Sequence, residues 1–227
     1  MKNASEKYVR SIVELCRWYD ILNRMFFESA LSRPVITMQK ERSKRILGYI
    51  TCNKVWHDPE GECALEINLT AAYMNRSVEE IVGTLLHEMC HQYAIVNDIN
   101  DTSRSGTYHN KKFRDIAMSH GLVVEKSRYY GFAFTELSAD TREKLKRYDE
   151  QSTFISRNNG ETFAIPKDKP DNPKSSTRKY ICPCCGMSVR ATKEVNIKCG
   201  DCDIRMVNKQ EKIQGGAEYE ETIQTSA

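Results

Sequence analysis

From residue 5 to residue 29 apolar side chains recur every three or four positions: Val9, Ile12, Val13, Cys16, Tyr19, Leu22 and Phe26. That period predicts an amphipathic helix, with Pro34 marking the exit. Three shorter runs follow, over residues 35–38, 46–56 and 64–69. In the last, Leu65, Ile67 and Leu69 alternate with Glu66 and Asn68, the period of a strand with one face in the core. Asp58-Pro59-Glu60-Gly61 is a turn signal between the second and third runs. Together they predict a small antiparallel sheet.

The helical period returns after Ser77. Ser77 and Glu80 have the spacing of a capping box, and Val78, Ile81, Val82, Leu85 and Met89 give the helix an apolar face as far as about Val96. Residues 97–107 read as a polar loop. Residues 110–119 read as another helix, with Phe113, Ile116, Ala117 and Met118 as its apolar members and Gly121 as its stop. A strand is expected over 122–124, and a charged short helix or connector over 141–149. Residues 158–177, with Asn-Asn-Gly and three prolines, read as linker. The pattern sets the organisation: a main domain over 5–150, a linker over 151–178, a cysteine module over 179–208 and a disordered tail over 209–227.

Inside the second helix lies His87-Glu88-Met89-Cys90-His91. Residues four apart on an α-helix leave from one face one turn apart, so His87 and His91 can grip a single metal ion. Glu88 is offset enough to reach a water rather than the metal, which is the arrangement of a zinc hydrolase. Catalytic zinc takes three protein ligands and keeps one position open. His109, past the polar loop at the start of the next helix, is the favoured third ligand; His57, His120, Glu125 and Glu136 are its rivals. In such a site zinc acidifies water and polarises a carbonyl, while Glu88 serves as general base. Tyr108, Tyr129 and Tyr130 are candidate donors to the oxyanion.

Near the C-terminus, Cys182-Pro183-Cys184-Cys185-Gly186 and Cys199-Gly200-Asp201-Cys202 form two C-x-x-C pairs. Two such knuckles facing one ion make a tetrahedral zinc site, with Cys182, Cys185, Cys199 and Cys202 as ligands and Cys184 to spare. Gly186 permits the tight turn behind its knuckle. The expected cofactors are therefore two zinc ions, one catalytic and one structural.

Composition narrows the setting. Nine cysteines, no apolar stretch able to span a bilayer and no apolar core for a signal peptide argue for thiols in a reducing, cytoplasmic environment. The net charge of +3 makes no claim about partners. Residues 166–210 hold ten Lys or Arg against five Asp or Glu, a bias that four thiolates on one zinc ion would trim to +3. Lys179, Arg190, Lys193, Lys198 and Arg205 are candidate phosphate contacts.

The order of these features resembles the SprT-like family, which includes the Spartan DNA–protein crosslink proteases. The resemblance rests on Leu22-Asn23 and Phe26-Phe27 in the first helix, on residues 84–92 around the His-Glu-x-x-His motif, on His109 with Phe113 one turn later, and on the cysteine pairs. It covers about residues 8–208. It implies an α+β, zincin-like protease domain followed by a four-cysteine zinc ribbon, and hydrolysis of peptide bonds. For Spartan-type members it implies DNA-stimulated cleavage of proteins attached to DNA, so protein substrates and DNA are the expected partners and a membrane is not. The competing readings are a regulatory metalloprotease that cuts one partner, such as a repressor, and a non-catalytic nucleic-acid-binding zinc protein. Against the second stands Glu88, a base that a purely structural metal site does not need.

Overall fold

A computed structural model describes residues 3–39, 46–148, 152–157 and 177–208. Of the expected linker, 152–157, 177 and 178 are described, with Phe154 and Ile155 packed against the main core; its other residues and the expected tail lie outside the described residues. The chain divides into two compact units, Met1–Asp168 and Lys169–Ala227.

In the first unit the long helix α1 runs over Ala4–Phe26, opened by Asn3, whose side chain accepts from the Glu6 N–H. Its buried stripe of Leu15, Trp18, Tyr19, Ile21 and Leu22 anchors the core. The runs that follow form strands β1 (Val35–Thr37), β2 (Gly48–Ile50), β3 (Trp56–His57), β4 (Cys63–Ala64) and β5 (Glu66–Leu69). The three-stranded sheet has the order β1-β5-β2. It is mixed rather than antiparallel: β1 runs parallel to β5 and β2 antiparallel to it. β3 and β4 pair apart as a separate ribbon. The polar side of β5 is also buried. Glu66 there accepts from Thr37 Oγ1 at 2.7 Å, from the Trp56 indole at 2.9 Å and from the Tyr49 hydroxyl at 3.4 Å, so donors from three strands cover a face that alternation assigns to solvent.

Helix α2 (Val78–Val96) is capped as its sequence predicts: Ser77 Oγ accepts from Glu80 N–H and the Glu80 carboxylate accepts from Ser77 N–H. It is buried on most sides and forms the middle of the unit. The Tyr19 hydroxyl of α1 lies 2.9 Å from Gln92 Oε1 and 3.0 Å from the Ser32 carbonyl, sharing its one proton between them and tying α1 to α2 one residue beyond His91. Helix α3 (Lys111–Ser119) starts at Asn110, and Gly121 ends it with a φ of +89°.

Two short strands, β6 (Thr102–Ser103) and β7 (Tyr108–His109), interrupt the expected polar loop. They belong to a second sheet of order β6-β7-β9-β8, completed by β8 (Leu122–Ser127) and β9 (Gly131–Leu137). Helix α4 (Ala139–Lys146) closes the regular structure. Among the described residues no helix is long and apolar enough to cross a membrane.

The second unit has strands β10 (Arg178–Ile181), β11 (Ser188–Ala191) and β12 (Val207–Asn208), which form a three-stranded sheet of order β11-β10-β12. Its buried apolar residues are Tyr180, Cys182, Cys199 and Met206.

Candidate metal centres

α2 delivers His87 and His91 from one face, and the pairing of β7 with β9 holds His109 opposite them: His109 N–H donates to Tyr130 O at 2.9 Å, and His109 is in register with Gly131. The three Nε2 atoms form a nearly equilateral triangle, with sides of 3.2, 3.2 and 3.0 Å. Two imidazole nitrogens on a tetrahedral zinc ion at ~2.05 Å stand roughly 3.3 Å apart, so the triangle fits one ion and one open position. No proton arrangement satisfies three mutually facing ring nitrogens as well as a shared cation does.

The far nitrogens decide the tautomers. His91 Nδ1 lies 2.6 Å from Asp101 Oδ2 and His87 Nδ1 lies 2.9 Å from Thr135 Oγ1. With Nδ1–H donated to these acceptors, each Nε2 lone pair is left facing the centre. The Phe113 ring lies 4.5–4.7 Å, centroid to centroid, from all three imidazoles and floors the site. Burial, with the neighbouring histidines, holds His87 well below its ordinary pKa; burial and then His91 bring His109 down to about 3. Both rings are thus kept neutral, the form that binds metal.

Glu88 is 6 % exposed. Burial pushes its carboxyl up to about 7, against the pull of His91. A carboxylate buried one residue from a ligand, with a proton affinity near neutrality, is suited to take up and release a proton.

The rivals for the third position stand elsewhere. His57 contacts Cys63 Sγ across the β3–β4 ribbon. His120 stacks on Phe27 at 4.4 Å and bonds the Ile116 carbonyl at the end of α3. Glu125 is exposed on β8, and Glu136 pairs with Arg142. Of the tyrosines, Tyr108 lies under the Arg104 guanidinium. Tyr129 and Tyr130 lie in the turn between β8 and β9, where the Tyr130 carbonyl accepts from His109 N–H. Asp101 and Thr135 escape a reading of the sequence. Asp101 is one of several Asn and Asp residues in a polar stretch, and Thr135 lies in a strand whose pattern carries no chemical signal.

The cysteine unit repeats one device twice. Cys182 N–H donates to Met187 O and Gly186 N–H to Cys182 O; Cys199 N–H donates to Ile204 O and Asp203 N–H to Cys199 O. The fifth residue of each turn is left-handed, Gly186 at φ +75° and Asp203 at +50°. Cys182, Cys185, Cys199 and Cys202 bring their sulfurs within 4.8 Å of one another, with Cys185 and Cys199 3.6 Å apart. Sulfurs on a tetrahedral zinc ion stand roughly 3.8 Å apart, so the four thiols fit that ion. Backbone N–H groups of Cys185 and Cys184 help hold Cys182 down to about 7, toward the thiolate a metal needs. Cys184 is exposed and outside the group.

Comparison with protein families matches the SprT-like family over residues 15–130, a span that holds the second half of α1, all of α2, strand β7 and all three histidines. The chain belongs to the SprT-like family. That family is associated with a metalloprotease-type fold, here a mixed α/β unit with four helices among the described residues. Comparison with curated proteins and with solved structures gives no match. In this SprT-like chain the matched region ends at Tyr130, before β9 and the cysteine unit.

Proposed function

We propose that this SprT-like chain is a zinc-dependent endopeptidase that acts on DNA-associated or DNA-crosslinked proteins. The observation that carries the reading is the Nε2 triangle of His87, His91 and His109 with buried Glu88 beside it. Zinc on that triangle would acidify a water toward ~7 and polarise the scissile carbonyl. The protein does the rest. Asp101 and Thr135 fix the rings, Phe113 excludes solvent from beneath them, and Glu88 accepts the proton of the attacking water and passes it to the leaving amine. β2 is an edge strand of its sheet, able to pair with an extended polypeptide beside Glu88. The DNA part rests on the resemblance to the Spartan proteases and on the basic bias of residues 166–210.

Metal analysis joined to a cleavage assay tests this. Wild type is expected to hold two zinc ions and to digest a DNA-binding protein only when DNA is present; Glu88→Gln keeps both ions and loses cleavage. Cleavage by Glu88→Gln would sink the hydrolase mechanism. Cleavage indifferent to DNA would remove the DNA part alone.

A further inference from the structure

Arg76, the residue before the Ser77 cap of α2, is half-buried and hydrogen-bonded to neutral partners only. Its Nε–H donates to the Tyr73 carbonyl at 2.9 Å, Nη2 to Thr84 Oγ1 at 3.1 Å and Nη1 to the Glu80 carbonyl at 3.4 Å. Among the described residues Arg76 forms no ion pair with an acidic side chain. Glu80 has its carboxylate on Ser77 instead, 3.0 Å from the N–H and 2.8 Å from Oγ. Arg17 and Arg33, both more exposed, each face a carboxylate, Glu14 and Asp20. Burial pulls the pKa of Arg76 down, against the pull of Glu80 and Tyr73. A charge drawn partly out of water is ordinarily paired, because neutral hydrogen bonds return only part of the lost hydration. A guanidinium has five N–H donors in a planar fork, so three contacts leave two for a further acceptor.

The place of this cation gives its open donors a use. Thr84, which Arg76 holds, and Glu88 lie one turn apart on one face of α2, and both stand against Gly48 of the edge strand β2. One helical turn is about 5.4 Å, and an extended polypeptide advances about 3.3 Å per residue. A polypeptide paired along β2 with its scissile carbonyl at Glu88 thus brings a side chain about two residues away to the guanidinium. We infer that Arg76 is a specificity-determining residue, pairing with an Asp or Glu side chain about two residues from the bond to be cleaved. The inference rests on the protease reading above and names a preference of its substrate. A phosphate carries the same charge, but a run of phosphates would also meet Glu79 and Glu80, both exposed, where a single side chain need meet only the guanidinium.

The probes are a labelled peptide of three Gly-Ser-Asp-Leu repeats and its counterparts with Asn or Lys in place of Asp. Fluorescence anisotropy follows their binding to the full zinc-loaded chain carrying Glu88→Gln. The Asp peptide is expected to bind about tenfold more tightly than the Asn peptide, the low end for a charge-assisted contact. Arg76→Gln is expected to abolish that difference, and Arg76→Glu to favour the Lys peptide, a reversal that a merely structural arginine would not produce. Two zinc ions per chain and an unchanged circular dichroism spectrum show that each variant folds. Lys7→Gln on α1 controls for net charge and is expected to discriminate as the parent chain does. With Glu88 intact and DNA present, digestion of a random peptide mixture is expected to show Asp or Glu enriched about two residues from the cut bonds, and Arg76→Gln to erase the enrichment. Equal binding of the Asp and Asn peptides by the parent chain would overturn the inference. So would discrimination that survives Arg76→Gln, or a loss in that variant that is equal for both peptides and marks Arg76 as a brace for Thr84. Weaker binding of a labelled oligo-dT by Arg76→Gln, with peptide discrimination intact, would assign the cation to phosphates and overturn it too. Discrimination by the Glu88→Gln chain with no hydrolysis by the Glu88 chain would sink the protease reading and leave a carboxylate site standing; hydrolysis without discrimination would do the reverse.

Discussion

The main chain of Gly48 lies directly against the carboxylate of Glu88. A β-carbon at Gly48 would stand 3.3 Å from Glu88 Oε1, 3.2 Å from Thr84 Cγ2 and 3.0 Å from the Asn68 carbonyl oxygen. The first two neighbours are side chains that can yield; the third is backbone of β5 and cannot. Strand β2 therefore comes this close to Glu88 only because residue 48 has no side chain. Gly48→Ala is expected to cost about 1–3 kcal/mol, the range of an overpacked interior. Because Glu88 must move to make room, kcat is expected to fall further than stability does. Thermal unfolding and steady-state cleavage check this; full activity in a folded Gly48→Ala protein would show that the contact does not position Glu88.

Asp101 is expected to act through His91. Its carboxylate, buried at 8 % exposure and 2.6 Å from His91 Nδ1, sets the ring's tautomer and orientation. Removing such a partner lowers metal affinity about 10–100-fold. Asp101→Ala is expected at the upper end and Asp101→Asn, which keeps an acceptor, at the lower end. Competition against a chromophoric chelator measures both. The Asn110 N–H to Asp101 carbonyl bond is backbone, so the loop should survive either change.

Helix α2 and its chemistry were legible because each signal is local: Ser77 and Glu80 cap it, and His87, Glu88 and His91 lie within five residues. His109 was legible from its distance along the chain to a metal that needs a third ligand. The parallel β1–β5 pairing was not, since the direction of a pairing is decided by connections and not by the alternation of either strand. Strand β9 lacked a clean signal for a related reason: its register against β8 shifts between Glu125 and Ser127, so the side chains of Gly131-Phe-Ala-Phe-Thr-Glu-Leu137 do not keep one alternation, and Phe132 packs against the core while Phe134 pairs with Glu125. Asp101 and Glu66 show the same limit for polar residues. Each reads as surface until the fold brings donors to it.

The metal-free protein is expected to lose stability in acid in two stages. His87 and His109 stay neutral in the fold below their ordinary value of 6.5, so below pH 6.5 the unfolded chain binds their protons and the fold does not. Glu88 has the opposite sign: between about 7 and 4.5 the fold holds a proton that the unfolded chain releases. From pH 6.5 to 4.5 one carboxyl offsets one of the two imidazoles; below 4.5 that offset ends and the loss steepens. Each uncompensated proton is worth about 1.4 kcal/mol per pH unit at most. Urea midpoints measured against pH in the presence of a chelator check the curve. A stability that rises steadily from pH 6.5 to 4.5 would contradict it.

In the cysteine unit a metal ion on the four thiols would carry the fold. Its buried apolar cluster is Tyr180, Cys182, Cys199 and Met206, and half of that cluster is ligand. So little core cannot offset the entropy of ordering the unit, and binding energy must make up the difference. Cys185→Ser is expected to drop the zinc content from two to one and to leave the unit open to limited proteolysis while the helices and strands of the first unit stay protected. Cys184→Ser is the discriminating partner experiment, because Cys184 sits beside Cys185 in sequence yet outside the group of four sulfurs. It is expected to retain both ions and full resistance. If Cys184→Ser loses the second zinc and Cys185→Ser keeps it, the ligand set is wrong by one residue, and the matched pair of turns ending at Gly186 and Asp203 would not describe the bound state.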